Sequence, residues 1–565
     1  MLFCSVSCSD NDNAFLRVDV KGNLLEVDGK TFTEVLNVSS SSDWSAHDKT
    51  NSSWVVVNRS GNQLVLKFEP NMESAVRKTQ IELYNAEGIN SYLNVSQAPI
   101  SSGDIVLSKE DDNWIYYYED YFELEVVAKG AWTLDVDAAD NWVDYNINDQ
   151  ETGVGLVSLY FEPNMAKDKR EATLTFKANK ETKKIRLIQR GKKGFEDATH
   201  KFYMHYATFP VLYSAMDLVQ HNLPTMLLDR RNTLSREALG SNVKVVSDDE
   251  FPQSFIDEIK RIDQEDPDAV FGYYVDDMRS TFAMSIFTQL AIDTSRVKIS
   301  IHPDGVGTYT ALFSQKYGSA TTGEKNYKKA DREFYNHYLK LLADPNEGKK
   351  RTDKRDIEDW DYPHLFAKYN VARYFIQDYD YLITESDYVK SQIPLTNYVV
   401  KTPVEILNTL TPQQQEEFYK LVGFDPKPYK ELFAESPKPN LVILGTNTSA
   451  GNVSAKKQAQ NVQKVIDKFG KEYDIFFKAH PADPAYVNYE DEFPGLRLIM
   501  PARMPFEVFT WALNDELDAI GGFTTTTFLS MPLDKIKFIF AKDAASTGEL
   551  FQNIFADRDD IYWIE

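Results

Sequence analysis

Beyond residue 200, short, mostly apolar runs alternate with longer segments of mixed polarity, a pattern typical of α/β domains. The predicted strands are 202–205, 269–275, 297–301, 441–444, 475–478 and 536–540. The amphipathic pattern of residues 328–342 predicts a helix, and the charged segment 344–355 predicts an exposed loop. Prolines at 426, 428, 437 and 439 interrupt both the strand pattern and the helix pattern. They predict a domain boundary near residues 430–440.

Before residue 200 the pattern changes to short alternating segments with few helix signals, and it repeats. The sequence Phe-Glu-Pro-Asn-Met occurs at 68–72 and again at 161–165. The other matched pairs are Trp44 and Trp132, Trp54 and Trp142, Arg77 and Arg170, and Gln97 and Gln189. Short strands at this spacing predict two immunoglobulin-like β-sandwiches of about 90 residues each.

The composition is that of a protein large enough to bury several cores, with 565 residues of which 42% are apolar. The net charge of -24 argues against a nucleic-acid partner and leaves an anionic ligand dependent on local positive groups. Both cysteines, Cys4 and Cys8, precede residue ten, so the folded body is predicted to have neither a disulfide nor a thiolate metal site.

Three groups suited to binding a phosphorylated ligand lie within residues 475–532. His480, just past a predicted strand, can neutralise a phosphate or give a proton to a leaving group. Gly521 and Gly522 let the backbone approach a ligand, and the threonines after them offer hydroxyl and N–H groups to an anion. Glu507 can bridge two ribose hydroxyls. Threonines also fill strands and cap helices, and a glutamate in this position also begins solvated helices.

A fourth candidate, Asp304, follows the apolar run 297–301 and precedes Gly305. A carboxylate at a strand end can remove a proton from a hydroxyl group, although Pro-Asp-Gly is also a strong turn signal. The sequence contains no Gly-x-x-x-x-Gly-Lys phosphate loop, metalloprotease helix motif or Gly-x-Ser-x-Gly nucleophile turn.

In this order, the groups resemble the donor-binding half of the bacterial sialyltransferases of glycosyltransferase family 80. The shared motifs are Phe-Lys-x-His-Pro at 477–481, Pro-Ala-x-x-x-Phe-Glu-Val at 501–508 and a Gly-Gly-x-x-Ser/Thr-Ser/Thr pattern that runs through 521–532. Further matches are Leu-Thr-Pro-Gln-Gln-Gln at 410–415, Phe-Tyr-Lys-Leu-Val-Gly-Phe at 418–424 and Gly-Thr-Asn-Thr at 445–448. The resemblance covers most of the chain from about residue 201 onward.

The resemblance implies a GT-B fold, in which two Rossmann-like α/β domains face a cleft, with the donor on the second domain and the acceptor mainly on the first. The implied donor-binding residues are Lys478, His480, Pro481, Glu507, Thr525 and Thr526. Of these, His480 would contact the phosphate of CMP-sialic acid and act as the general acid, and Glu507 would hold the ribose. Thr525 and Thr526 would replace the family's paired serines at the phosphate, and Lys478 would lie beside the cytosine.

Asp304 matches the position of the family's base, which implies a single inverting displacement with no metal and no cofactor. The chain departs from the family at two positions. Ser449 stands where the family has a tryptophan that closes over the acceptor, and His205 stands where the family has an aspartate. Asp276 and Asp277 follow another apolar run and resemble a metal pair, but we interpret them as a strand-end loop that lines the acceptor cleft. The acceptor-side candidates are therefore His205, Asp276, Asp277 and Ser449.

The two N-terminal repeats resemble the BACON domains of Bacteroidetes surface proteins, so their tryptophans either stack on sugars or form the core of a spacer. The sequence around Cys8 resembles the end of a lipoprotein signal, which predicts lipidation of Cys8 and a membrane-anchored envelope protein. If Met1 is the true start of the protein and Cys8 is not lipidated, the prediction is a cytoplasmic protein instead. The predicted parts are a tether at 1–14, sandwiches at 15–100 and 101–193, an acceptor-side domain at 198–432 and a CMP-donor domain at 433–565.

The predicted function is transfer of sialic acid from CMP-sialic acid to a hydroxyl of a galactoside-type glycan. Two alternatives stay open: a glycan-binding surface lipoprotein with little or no turnover, and a transferase that uses another CMP-activated acidic sugar such as Kdo. The presence of Asp304, His480 and Glu507 together favours an enzyme. The motifs specify neither the acceptor nor the linkage.

Overall fold

The structure is a computed structural model that describes residues 14–101, 104–148, 154–178, 181–339, 342–354, 362–450, 453–480, 483, 488–499 and 504–565. Cys8 and Pro481 lie outside these residues. Contacts within the chain divide it between Lys192 and Lys193 into two units. Among the described residues, none of the helices combines the length and the apolar character needed to cross a membrane.

The first unit contains two β-sandwiches, each made of two four-stranded sheets. The first sandwich consists of β1 (Leu16–Val18), β2 (Leu24–Val27), β3 (Thr33–Ser40), β4 (Trp44–Asp48), β5 (Val55–Ser60), β6 (Gln63–Phe68), β7 (Arg77–Asn85) and β8 (Asn90–Gln97). Its sheets have the orders β1-β3-β6-β5 and β2-β8-β7-β4. The second consists of β9 (Ile105–Leu107), β10 (Asn113–Ile115), β11 (Tyr121–Ala128), β12 (Trp132–Ala138), β13 (Val143–Asn148), β14 (Val154–Phe161), β15 (Arg170–Ala178) and β16 (Thr182–Gln189), in the orders β10-β16-β15-β12 and β13-β14-β11-β9.

The repeated tryptophans belong to the cores of these sandwiches. Trp44, Trp54 and Trp132 are buried, and Trp142 packs against the core of the second sandwich. The repeated arginines explain the rest of the motif: Arg77 lies 4.6 Å from the centre of the Trp54 ring and donates to Gln97 at 2.8 Å. The second copy has the same arrangement, since its arginine lies over its tryptophan and donates to its closing glutamine. The repeat therefore records a shared packing unit, and these tryptophans do not form a surface for stacking on sugars.

The second unit contains two parallel sheets. The first has seven strands in the order β19-β18-β17-β20-β21-β22-β23, and the second has six in the order β26-β25-β24-β27-β28-β29. The strands of the first are β17 (His200–His205), β18 (Thr225–Asp229), β19 (Val243–Val245), β20 (Phe271–Asp276), β21 (Val297–His302), β22 (Ala372–Ile376) and β23 (Tyr398–Val400). Those of the second are β24 (Asn440–Leu444), β25 (Asp474–Lys478), β26 (Leu496–Leu498), β27 (Ala519–Gly522), β28 (Ile536–Ile539) and β29 (Tyr562–Trp563). All six predicted strands are present.

Helices connect these parallel strands. They are α1 (Thr208–Gln220), α2 (Gln253–Glu265), α3 (Ser280–Gln289), α4 (Val306–Tyr309), α5 (Gln315–Tyr317), α6 (Gly323–Glu333), α7 (Pro345–Lys354), α8 (Pro363–Lys368), α9 (Asp387–Gln392), α10 (Pro403–Thr409), α11 (Pro412–Leu421), α12 (Lys427–Ala434), α13 (Ala455–Phe469), α14 (Tyr489–Glu492), α15 (Phe506–Ala512) and α16 (Glu549–Phe555). Two π-helical segments, Thr310–Ser314 and Phe334–Leu339, follow α4 and α6.

The predicted exposed loop at 344–355 is wrong, because most of it forms α7. Gly348 is buried, and a Cβ atom there would lie 2.8 Å from the backbone nitrogen of Gln289 in α3. Thr352, also buried, donates to the Gln289 side chain at 3.1 Å. Lys349 and Lys350 are exposed, while these two small residues make the packing contact. The predicted helix at 328–342 begins five residues earlier, as α6, and continues into the π-helical segment.

Candidate active site

A cavity of about 860 Å³ lies where the carboxyl ends of strands from both parallel sheets meet. It is lined by Ala207, Thr208, Phe209, Arg231, Asn232, Thr233, Asp304, Val422, Gly423, His480, Met504, Pro505, Phe506, Glu507, Thr525 and Thr526. A neighbouring cavity of about 360 Å³ shares His480, Phe506, Thr525 and Thr526 with it. The structure thus brings together five of the predicted residues, Asp304, His480, Glu507, Thr525 and Thr526, although Asp304 belongs to the first sheet and the others to the second.

The threonines after β27 form a short 3-10 helix, Thr526–Ser530, that is capped by the Thr525 hydroxyl. The Thr526 hydroxyl accepts a hydrogen bond from the Val306 N–H at 3.3 Å, which joins this loop to the loop of Asp304. The prediction that the two glycines before the threonines let the backbone approach a ligand is not what the structure shows. A Cβ on Gly521 would lie 2.4 Å from the Phe538 carbonyl, and one on Gly522 would lie 2.3 Å from the Leu444 carbonyl. These glycines therefore allow close packing of neighbouring strands rather than the approach of a ligand.

Asp304 follows β21, and its N–H donates to the Thr308 hydroxyl at 2.9 Å. Burial, and next the charge of Asp276, raise the pKa of Asp304 to about 6, whereas Arg231 and Arg279 act in the opposite direction. A carboxylate with this pKa is ionised at neutral pH and is more basic than an ordinary aspartate. The carboxylate of Asp304 is therefore suited to accept a proton.

His480 lies opposite, just past β25. Burial lowers its pKa, and the nearby Asp483 carboxylate opposes that effect. Asp483 is fixed by Gln458, which donates to it at 2.9 Å, and by the Thr448 hydroxyl at 2.6 Å. An arriving anionic phosphate would favour the protonated imidazole, so this histidine can gain a proton as an anion binds. Sequence reasoning missed Asp483 and Gln458, although the position of Asp483 three residues after the histidine was visible.

Lys478, at the end of β25, and Glu507, in the first turn of α15, are close enough for each to influence the pKa of the other. The Lys478 side chain is fully buried, and its Nζ lies 4.8 Å from the centre of the Phe506 ring and donates to the Ala479 carbonyl at 3.0 Å. Burial lowers the pKa of Lys478 to about 7, and Glu507 partly offsets this effect. Glu507 is half-buried, accepts from the Thr527 hydroxyl at 3.2 Å, and has its pKa raised, mainly by burial. Lys478 therefore lies behind the residues that line the cavities, while Glu507 is on the wall of the larger one.

The four acceptor-side candidates do not line either cavity. His205 is fully buried, with Nδ1 2.7 Å from Asp276 and Nε2 2.6 Å from the Ser214 hydroxyl. Asp276 and Asp277 are buried too, so the interpretation that they line the cleft is wrong. Ser449 is exposed, and its N–H donates to the Asn447 side chain.

The wall on this side is formed instead by residues 207–209 and by the segment 231–233 after β18. Sequence reasoning missed this segment because the short run before it was not recognised as a strand. Within the described parts of the chain, no group of three or more His, Cys, Asp or Glu side chains is arranged to hold a metal ion.

Comparison with known proteins gives a family match and a set of similar folds. Residues 362–550 match the model of a family described as Sialyltransferase PMO188. No curated protein matches the sequence.

Solved structures of bacterial sialyltransferases share the fold. An α/β-galactoside α-2,3-sialyltransferase from Photobacterium phosphoreum is 18% identical with a TM-score of 0.51, over 65% of this chain and 99% of that one. The GT-B domain of the Photobacterium damselae sialyltransferase is 20% identical with a TM-score of 0.50, over 65% of this chain and 100% of that one. The family match and the shared GT-B fold together identify the chain as a glycosyltransferase.

Proposed function

We propose that the second unit transfers sialic acid from CMP-sialic acid to a hydroxyl group of a galactoside. The observation that carries this proposal is that Asp304 and His480, from different domains, line one cavity. A base on one side and a group that can be protonated on the other are the two requirements of a direct displacement. The family match and the α-2,3-sialyltransferase among the similar structures support the sugar that is transferred.

In the proposed reaction, the Asp304 carboxylate takes the proton of the acceptor hydroxyl while the oxygen attacks the anomeric carbon. The bond from that carbon to the phosphate oxygen breaks, and CMP leaves with inversion at the anomeric centre. His480 and the Thr525 and Thr526 hydroxyls donate to the phosphate, where negative charge increases. Glu507, on the same wall, is placed to accept from sugar hydroxyls of the nucleotide. No step in this scheme calls for a metal ion.

The test measures CMP release from CMP-sialic acid with lactose and a panel of galactosides, in the presence of a metal chelator. We expect acceptor-dependent release that falls at least about a hundredfold in both Asp304→Asn and His480→Ala. Equal release with and without acceptor would identify a hydrolase instead. A parallel series with CMP-Kdo decides between the two donor sugars, and CMP binding without release from either donor would favour the binding-protein alternative.

A further inference from the structure

Two consecutive carboxyl groups, Asp276 and Asp277, are buried behind the Asp304 loop and have different partners. Asp276 ends β20, and Asp277 begins the 3-10 turn Asp277–Arg279. Their exposed fractions are 1% and 0%. Neither is among the described residues that line the two cavities of the candidate active site, and the reaction proposed above uses neither of them.

The Asp276 carboxylate is surrounded by N–H donors. It lies 2.7 Å from His205 Nδ1 and accepts from the backbone N–H groups of Tyr206 at 2.8 Å and Ala207 at 3.0 Å. The two backbone N–H groups both donate to Oδ2, so they fix the position of the carboxyl group. These contacts also fix the backbone just before Thr208 and Phe209, which line the larger cavity.

Asp277 has a different environment. Its Oδ2 accepts from the Thr308 hydroxyl, from the Tyr374 hydroxyl at 2.9 Å and from the Asp304 N–H at 3.3 Å. Its Oδ1 is buried and, in the part of the chain that the structure describes, has no hydrogen-bond partner. Leaving one oxygen of a buried carboxylate without a donor costs free energy, and protonation removes that charge. This environment favours a protonated carboxyl group at Asp277.

The surrounding charges agree with this assignment. Arg231 and Arg279 lower the pKa of Asp304, while burial and Asp276 raise it to about 6. Burial, followed by the charge of Asp304, raises the pKa of Asp277 to about 7. Burial raises the pKa of Tyr374, so its phenol stays a neutral donor. His302, whose ring lies 5.9 Å from that of His205, has its pKa lowered by burial and contributes no charge at neutral pH.

Building on the proposed function, we propose that Asp276 and Asp277 are positioning residues with separate tasks for the base Asp304. Asp276, whose carboxylate accepts from the Tyr206 and Ala207 N–H groups, supplies the charge that keeps Asp304 basic. Asp277, protonated over the pH range in which Asp304 titrates, accepts the N–H of Asp304 and so fixes its loop without adding a second charge there. The two adjacent carboxyl groups thus act on one base in different ways, Asp276 through its charge and Asp277 through a hydrogen bond.

The first test is the pH dependence of kcat/KM for CMP release by the full chain, from about pH 5 to pH 8. Activity requires ionised Asp304, so kcat/KM falls as the pH drops through the pKa of that group. Asp276→Asn removes a neighbouring negative charge and should move this decline about one pH unit lower. Asp277→Asn replaces one neutral group by another, so the decline should stay at the pH of the wild type, whatever the size of kcat/KM. An equal displacement in both variants, or none in Asp276→Asn, would overturn the proposal.

The second test requires no turnover. The infrared spectrum of the full chain at about pH 6 should contain, beside the contribution of half-protonated Asp304, a protonated-carboxyl C=O component that is missing from Asp277→Asn and kept in Asp276→Asn. If Asp276→Asn does not fold, the comparison of the wild type with Asp277→Asn alone still assigns the band to Asp277. A wild-type spectrum without the Asp277 band overturns the inference even if the enzyme is active. A missing CMP release with the band present refutes the proposed function alone.

Discussion

Thr526 is the residue at which the phosphate-side loop contacts the loop of the proposed base. Its hydroxyl accepts from the Val306 N–H, two residues after Asp304. Valine has nearly the same shape but cannot accept that hydrogen bond, so we expect Thr526→Val to lower kcat/KM for CMP release about ten- to hundredfold. Thr526→Ser keeps the hydroxyl and should stay within about threefold of the wild type. Equal activity of the two variants would show that the hydroxyl is dispensable.

Lys478 should make stability depend on pH. Its pKa in the folded protein is about 7, well below that of a lysine in an unfolded chain, mainly because of burial. Between pH 7 and pH 9 the unfolded state binds a proton that folded Lys478 does not, so this group makes stability rise with pH. Lys478→Met lacks the effect. Relative to this variant, the wild type should therefore gain about 2 kcal/mol of unfolding free energy between pH 7 and pH 9.

Denaturant unfolding at the two pH values provides the measurement, with Lys456→Met as the control because Lys456 is exposed on α13. The control should follow the wild type at both values. A constant difference between the wild type and Lys478→Met would indicate that Lys478 stays protonated in the folded protein.

The residues of the site differ in how far the sequence could reveal them. Asp304 and His480 each lie two residues past a strand that an apolar run predicts, so their place near a strand end was predictable from local pattern. His205 also ends a predicted strand, but the sequence does not indicate that it is buried against Asp276, 71 residues away. Ser449 was predicted from what the resemblance implied for its position, and only the structure shows that its side chain is exposed.

At the scale of elements, the turn between β21 and α4 has a glycine that its geometry requires. Gly305 has a φ of +115°, and a Cβ atom there would lie 2.4 Å from the Thr526 hydroxyl oxygen. Gly305→Ala should therefore force the Asp304 loop away from the threonine loop and lower kcat at least about a hundredfold, while the circular dichroism spectrum is retained. Gly307→Ala is the matched control, because the nearest atom to its Cβ would be 4.0 Å away. Similar kcat values for both variants would refute the requirement for this contact.

Strands that are buried on both faces were predictable from the sequence. A helix that packs through small residues was not. The six predicted strands lie inside parallel sheets, where both faces are covered and the sequence reads as an apolar run. Helix α7 escaped prediction because its contact with α3 uses Gly348 and Thr352, which leave no apolar stripe in the sequence.

For the whole molecule, the sequence repeat predicted two sandwiches, and the structure explains why the repeat includes polar residues. In each copy an arginine lies over a tryptophan and donates to the closing glutamine, so the three side chains form one packing unit. The order of the strands in the sheets was not predictable in the same way. It depends on pairings between distant segments, such as β17 with β20, which local pattern does not specify.

The described residues that line the two candidate cavities all lie between Ala207 and Phe551, so the second unit should be sufficient for chemistry. It also has its own hydrophobic core, which is what an independently folding part requires. We expect residues 193–565 alone to release CMP with a soluble acceptor at a kcat/KM within about threefold of the full chain. Residues 14–192, prepared as the control, should release none. A large loss in the shorter chain, with its fold intact by circular dichroism, would mean that the sandwiches contribute to catalysis itself. Equal kcat/KM for residues 193–565 and for the full chain would show that the sandwiches do not take part in the chemical step.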